Sequence, residues 1–358
     1  MRDLRQEWIE RQPRFPWLDA GDRSSIESLL RDKGWLEPGE AVERVEKAGE
    51  GNMNLTLRVV TDRRRVVLKQ SRPWVEKYPF IDAPWDRAIA ERRFYELARG
   101  IEGLAERLPE LLAHDDQARL LVLSDLGDAG DWTRVYGEAS FTHEALDAIA
   151  DFAAKLHAAF HEPDTPMPNR EMRRLNHTHI YALPTQPDEV ASMGLDLDPF
   201  EPGLAEAARR LAEDTAAVEA IRRTGERYLA DGPRLVHGDF FPGSFLRTPS
   251  GPVVIDGEFS YFGDGAFDLG NLLAHLALAN EPADSADRVL DRYRDAGGPS
   301  LDVKPIADYA ACEVIRRLIG VAQLPIAPTQ NTWRRDLLER ARRALLDHHH
   351  QRLWETTA

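Results

Sequence analysis

Two apolar stretches of this sequence run into carboxylates. Leu235 and Val236 lead through His237 and Gly238 to Asp239, and Val253-Val254-Ile255 leads to Asp256-Gly257-Glu258-Phe259. Each reads as a short buried strand that delivers acids at its end. Phosphoryl transfer needs such a set. One carboxylate orients the attacking hydroxyl and accepts its proton, while separate carboxylates hold the magnesium that neutralises the phosphate oxygens. Asp239 suits the first role. Asp256 and Glu258 suit the second: residues two apart on an extended segment point the same way, and two oxygens converging on a hard cation make a magnesium site. Solvated acids at two hairpin ends explain either segment alone, but the pair together favours chemistry.

The elements that must position these acids are legible on either side of them. Residues 24–33 have helical periodicity through Ile26, Leu29 and Leu30 and stop at Gly34. Residues 42–45, 55–60 and 65–68 alternate as strands do and predict an antiparallel meander that turns at residues 49–52 and 61–63. A helix is expected over 85–99 and two further strands over 111–114 and 120–123. Past Leu126 the pattern is mainly helical, over 142–160, 203–214, 218–229, 270–279, 285–296, 306–321 and 333–347. Pro-rich acidic loops fill 162–169 and 185–202. The order implies an α+β fold with two lobes. Residues 1–125 form a small antiparallel-sheet lobe with one main helix, and residues 126–358 form a mostly helical lobe that carries the acids.

With 358 residues and 42% hydrophobic content, the chain can bury one large core or two modest ones. Its 46 basic against 61 acidic side chains give a formal charge of -15, which argues against nucleic acid or an anionic membrane as a partner. The single cysteine, Cys312, allows neither a disulfide framework nor a thiolate metal cluster within the chain. Residues 1–10 are rich in charge without an export signal, and no long apolar run is present. A cytoplasmic protein is expected. His157, His177, His179 and His275 have no spacing that makes a zinc set, and His348, His349 and His350 receive no role.

His237-Gly238-Asp239, with the polar Ser244 five positions past the acid, precedes Ile255-Asp256-Gly257-Glu258-Phe259 and Phe267-Asp268-Leu269-Gly270. This string resembles the aminoglycoside phosphotransferase and choline kinase superfamily. Most of that superfamily has Asn at the position of Ser244 and a lone metal Asp. Gly243-Ser244 with the pair Asp256/Glu258 is instead similar to its methylthioribose kinase branch, although Phe241-Pro242 stands where that branch has a more polar pair. Further matching segments are Gly51-Asn52-Met53-Asn54, Leu68-Lys69-Gln70-Ser71-Arg72-Pro73-Trp74-Val75, Arg87-Ala88 ahead of Glu91, Asn176-His177-Thr178-His179, and Glu313-Val314-Ile315-Arg316-Arg317-Leu318-Ile319-Gly320.

The resemblance implies a protein kinase-like fold, ATP as co-substrate, Mg²⁺, a homodimer, and a sugar-like acceptor, S-methyl-5-thioribose first. An aminoglycoside, 5-deoxyribose, choline, homoserine or another small alcohol stays open as acceptor. So does a catalytically inactive ATP-binding module, which would be expected to have lost one of Lys69, Asp239, Asp256 or Glu258. Carried over residue by residue, it implies Asp239 as base, Asp256 and Glu258 on the metal, and Arg316 and Arg317 on the acceptor. Lys69 would grip nucleotide phosphates, held by Glu91 rather than by Glu96, which faces another side of the helix. Gly49, Gly51, Asn52 and Asn54 would line the phosphate turn, and Ser124 and Leu126 the adenine hinge. His237 and Ser244 would complete the catalytic loop, and Asp268 would brace it by hydrogen bonds.

Overall fold

The computed structural model describes residues 3–49, 53–160, 167, 169–328 and 331–355. The chain divides into two compact units, Met1–Asp128 and Ala129–Ala358, where the sequence placed a boundary after residue 125.

The first unit opens with α1 (Leu4–Arg11) and α2 (Arg23–Asp32). Asp3 caps α1 by accepting from the Arg5 backbone N-H at 3.0 Å, and Asp22 caps α2 by accepting from that of Ser25 at 3.0 Å. Helix α1 was not expected, because it buries only Leu4 and so carries no apolar stripe. Then come β1 (Val42–Lys47), β2 (Leu55–Thr61), β3 (Arg65–Gln70), a small antiparallel hairpin of β4 (Trp74–Val75) and β5 (Tyr78–Asp82), α3 (Arg87–Arg99), β6 (Leu111–Asp115) and β7 (Leu120–Ser124). The main sheet has the order β1-β2-β3-β7-β6, antiparallel throughout. Strict alternation along β2 buries Leu55, Leu57 and Val59 against Leu18 and against Ile26 and Leu30 of α2. Thr56 is opposite Lys69 in register, so Lys69 leaves by the other face.

Gln70, at the end of β3, is fully buried. Its amide accepts from the Leu18 backbone N-H at 3.0 Å and donates to the carbonyls of Pro16 and Ala118 at 3.0 and 3.1 Å. This fixes the segment between α1 and α2 to the sheet.

The second unit contains α4 (His143–Ala159), α5 (Arg170–His177), a π-helical turn over Thr178–Ala182, α6 (Pro187–Ser192), α7 (Leu204–Glu213) and α8 (Thr215–Leu229). Two short ribbons follow: β8 (Arg234–Val236) pairs with β11 (Tyr261–Gly263), and β9 (Phe245–Thr248) pairs with β10 (Gly251–Val254). The remaining helices are α9 (Ala266–Leu278), α10 (Ala283–Asp295), α11 (Val303–Ile319) and α12 (Trp333–Asp347). All thirteen residues of α9 are buried, and α11 packs along it, while β8 and β10 pack on α4. Within the expected loop 185–202, Pro187–Ser192 is instead helical, and residues 170–182, for which no helix was expected, are helical too.

One expectation is corrected. Asp256 and Glu258 do not alternate along an extended segment. The strand ends at Val254, Asp256 takes the left-handed conformation with φ 63°, and Gly257–Phe259 forms a 3₁₀ turn closed by Ser260, whose backbone N-H and hydroxyl both donate to the Gly257 carbonyl at 3.2 and 2.6 Å. A left-handed non-glycine residue costs about 1–3 kcal/mol and persists where its surroundings over-determine it, commonly at active sites.

Candidate active site

In the first unit, the Lys69 ammonium lies 2.7 and 2.9 Å from the two carboxylate oxygens of Glu91, and the Tyr95 hydroxyl donates to the same carboxylate at 3.1 Å. Both charged residues are buried. Glu96 is engaged with Arg92 at 2.6 Å, as its position five residues along the helix requires. Asn54 is buried and accepts from Arg87 Nε at 2.8 Å, and Arg87 also donates to the Met53 carbonyl at 2.8 Å and the Arg72 carbonyl at 2.7 Å. The side chain expected on nucleotide is thus held to α3 and fixes the base of the glycine-rich turn. Gly49 is left-handed with open space beside it, whereas Gly51 and Asn52 lie outside the described residues. The Ser124 hydroxyl accepts from the Glu110 backbone N-H at 2.9 Å, and Leu126 is partly exposed just beyond β7.

In the second unit, the loop that carries Asp239 is pinned at nearly every polar backbone group. Asp268, fully buried at the start of α9, accepts from the backbone N-H groups of His237 at 2.7 Å and Gly238 at 3.0 Å, and its carboxylate contacts His157 Nε2 at 3.1 Å. His237 contacts the Ile255 carbonyl through Nε2 at 2.8 Å, so its other nitrogen accepts from the Asp239 backbone N-H at 3.3 Å. The Ser244 hydroxyl donates to the Asp239 carbonyl at 2.7 Å. Gly238 is left-handed at φ 83°, and a Cβ there would stand 2.3 Å from the Phe259 carbonyl oxygen. The Asp239 loop and the Asp256–Glu258 turn therefore touch backbone to backbone, and only glycine permits it.

Beside this loop, Arg316 and Arg317 share one buried acid. Glu313, three and four residues earlier on α11, takes Arg317 Nε at 2.6 Å and Arg316 Nε at 3.2 Å. It also accepts from His275 Nε2 at 3.2 Å, and the Tyr136 hydroxyl contacts His275 Nδ1 at 2.6 Å. The carboxylate can only accept, so His275 carries its proton on Nε2 and Tyr136 donates to Nδ1. The Arg317 guanidinium lies 5.0 Å from the centroid of the Phe241 ring. Phe241, the departure noted in the sequence, is thus a platform for that cation.

These charges shift one another. Burial pushes the Asp239 carboxyl up to about 7, against the pull of Arg317 and Arg316 and with the help of Glu313 and Glu258. Burial also works against the charge of Glu313, but Arg316, Arg317 and the His275 hydrogen bond outweigh it and hold that carboxyl well below the usual range. Burial lowers His275 to about 4, and burial together with Arg316 and Arg317 lowers His179 to about 4, so both are neutral near pH 7.

Asp256 is partly exposed and Glu258 buried on their shared turn. Their carboxylates are the hard oxygen donors that Mg²⁺ takes, usually one or two from protein with phosphate and water completing the shell. Among the described residues no three or more His, Cys, Asp or Glu side chains are grouped to hold a metal. A pair of hard donors suits an ion that arrives with phosphate.

Three residues were quoted in the sequence only within matching segments, without the roles seen in the structure. Glu313 had a signal, the spacing of three and four to two arginines on a helix. Arg87 was noted without its role. Asn176 bonds to both Arg316 and Gly238, a link across the chain that no local pattern encodes.

Residues 44–313 match the phosphotransferase enzyme family. The methylthioribose kinase of Exiguobacterium sibiricum is 24% identical over 335 residues, covering 77% of this chain and 79% of that one. The methylthioribose kinase of Yersinia pestis is 25% identical over 266 residues, covering 69% and 62%. Among solved structures, choline kinase LicA from Streptococcus pneumoniae matches with a TM-score of 0.52 and 17% identity over 90% of this chain and 100% of that one. Ethanolamine kinase from Plasmodium vivax matches with a TM-score of 0.53 and 10% identity over 98% and 92%. The architecture is accordingly the two-lobed α+β kinase fold. No helix among the described residues is long and apolar enough to cross a membrane.

Proposed function

Since the chain belongs to the phosphotransferase enzyme family, and so is a small-molecule kinase, we propose that it uses ATP to phosphorylate a hydroxyl of a sugar-like acceptor, S-methyl-5-thioribose to its 1-phosphate. The roles follow from the chemistry of each group. Asp239, pushed up to about 7, orients the acceptor hydroxyl and takes its proton. Lys69, braced by Glu91, grips nucleotide phosphates, and Asp256 and Glu258 hold Mg²⁺, which when bound neutralises phosphate oxygens. Positioning and charge neutralisation carry such a reaction, so no covalent enzyme intermediate is expected. The same reading brings a cytoplasmic setting, expected from the single cysteine, and a homodimer, which the resemblance implies.

The observation that carries the acceptor class is the pair of guanidiniums on a single buried carboxylate next to the Asp239 loop. Their donor forks suit the adjacent hydroxyls of a sugar. Choline, with a single hydroxyl, would leave most of those donors without an acceptor group. An inactive ATP-binding module is disfavoured because Lys69, Asp239, Asp256 and Glu258 are all present.

The test is magnesium-dependent ADP release over S-methyl-5-thioribose, ribose, 5-deoxyribose, choline, homoserine and several aminoglycosides, with Asp239→Ala as control. Turnover is expected with the thioribose and not with the cations. Preference for choline or an aminoglycoside would overturn the acceptor class, and silence over the whole panel despite ATP binding would favour the inactive module.

A further inference from the structure

Asn176 is the penultimate residue of α5, just ahead of the π-helical turn Thr178–Ala182, an irregularity often found at functional sites. Its side chain is 5% exposed and every polar group on it is used. Arg316 Nη1 donates to Oδ1 at 3.1 Å, and Nδ2 faces the Gly238 carbonyl and the Tyr228 hydroxyl, each at 3.3 Å. The amide can face only one way. A guanidinium offers only donors, so Oδ1 must meet it, and both Nδ2 hydrogens are left for the carbonyl and the hydroxyl.

The carbonyl it takes belongs to the Gly238–Asp239 peptide, whose N-H is already bonded to His237 Nδ1. That peptide plane is thereby held from both edges, and it sets the direction in which the Asp239 side chain leaves. Each 3.3 Å bond is weak alone. Together they fix a plane at a left-handed glycine, which by itself tolerates rotation.

We propose that Asn176 is a positioning residue that sets the Asp239 backbone and the Arg316 guanidinium relative to one another through one amide. This rests on the reading of Asp239 as base and Arg316 as acceptor-binding. Asparagine is demanded by the chemistry: a carboxylate would keep the bond to Arg316 but turn two donors into acceptors, one of them facing the Gly238 carbonyl.

Asn176→Asp separates these roles at constant size. With an acceptor that turns over, kcat is expected to fall about tenfold to a hundredfold and acceptor KM to rise severalfold, while ATP KM stays within about twofold. A residue that only stabilises the fold would lower the melting temperature and leave these constants unchanged per folded molecule. Amide hydrogen exchange supplies a readout independent of turnover. Asn176→Ala is expected to speed exchange in residues 237–246 about tenfold or more, while Tyr228→Phe, which removes only the hydroxyl partner, leaves that segment close to wild type. Unchanged kcat and KM in Asn176→Asp, or unchanged exchange in Asn176→Ala, overturns the proposal. If no sugar turns over with the wild type, the acceptor reading fails, and the exchange data still decide the role of Asn176.

Discussion

Lys69 leaves a regular strand and Glu91 a regular helix, and the register of one and the pitch of the other bring the two charges to 2.7 Å. Asp239 and Asp256 stand on turns instead, one following a left-handed glycine and the other itself left-handed. The first unit draws its accuracy from backbone periodicity. The second borrows it from side chains, Ser244 nearby and Asp268, His157 and Asn176 from distant parts of the sequence. A site built in the second way is open to injury at residues that touch no substrate.

The sharpest test of that contrast is Asp268→Ala. It strips the acceptor from two buried backbone N-H groups and from His157, and breaking such a buried charged network is expected to cost about 3–5 kcal/mol together with the activity. Denaturant unfolding measures it, and a loss below about 1 kcal/mol would refute the claim that the loop depends on this acid. Glu91→Gln probes the regular unit, keeping the shape and removing the charge. ATP KM is expected to rise about tenfold with the fold retained, since strand and helix persist without the pair. Comparable damage to global stability from Glu91→Gln and Asp268→Ala would erase the distinction.

The smallest effect expected is a displacement of a pH profile. Asp239 works ionised, so with its carboxyl at about 7 the acceptor kcat/KM should fall about tenfold per unit on the acid side of that value. Arg317 is the larger of the two cations holding it down, so Arg317→Ala should move the midpoint upward; a downward move contradicts the electrostatics. The raised value also acts on stability. The folded carboxyl binds its proton more tightly than the ordinary 3.8 of the free group, so its favourable contribution is complete below that pH and is lost as pH rises through about 7.

What was legible in the sequence follows the same division. The alternation of Leu55, Leu57 and Val59 and the apolar spacing of Ile26 and Leu30 reveal strands and helix, since period and burial coincide there. Asp239, Asp256 and Glu258 stood out by residue type, the strands leading to them by their apolar runs, and Arg316 and Arg317 only through the family resemblance. The left-handed turn at Asp256 was not visible, because an apolar run that ends in acids reads as one continuing strand. Helix α1 was hidden because its packing is too thin to leave a stripe. Asn176 was hidden because its three partners lie 52, 62 and 140 residues away.

Gln70 has a practical consequence. One buried amide fastens the stretch after α1 to the sheet, and α2 then roofs Leu55, Leu57 and Val59. A chain shortened past α2 would keep every residue assigned to catalysis yet present a wetted apolar sheet face, which self-association covers most readily. The opening thirty-odd residues would then govern shelf life rather than turnover.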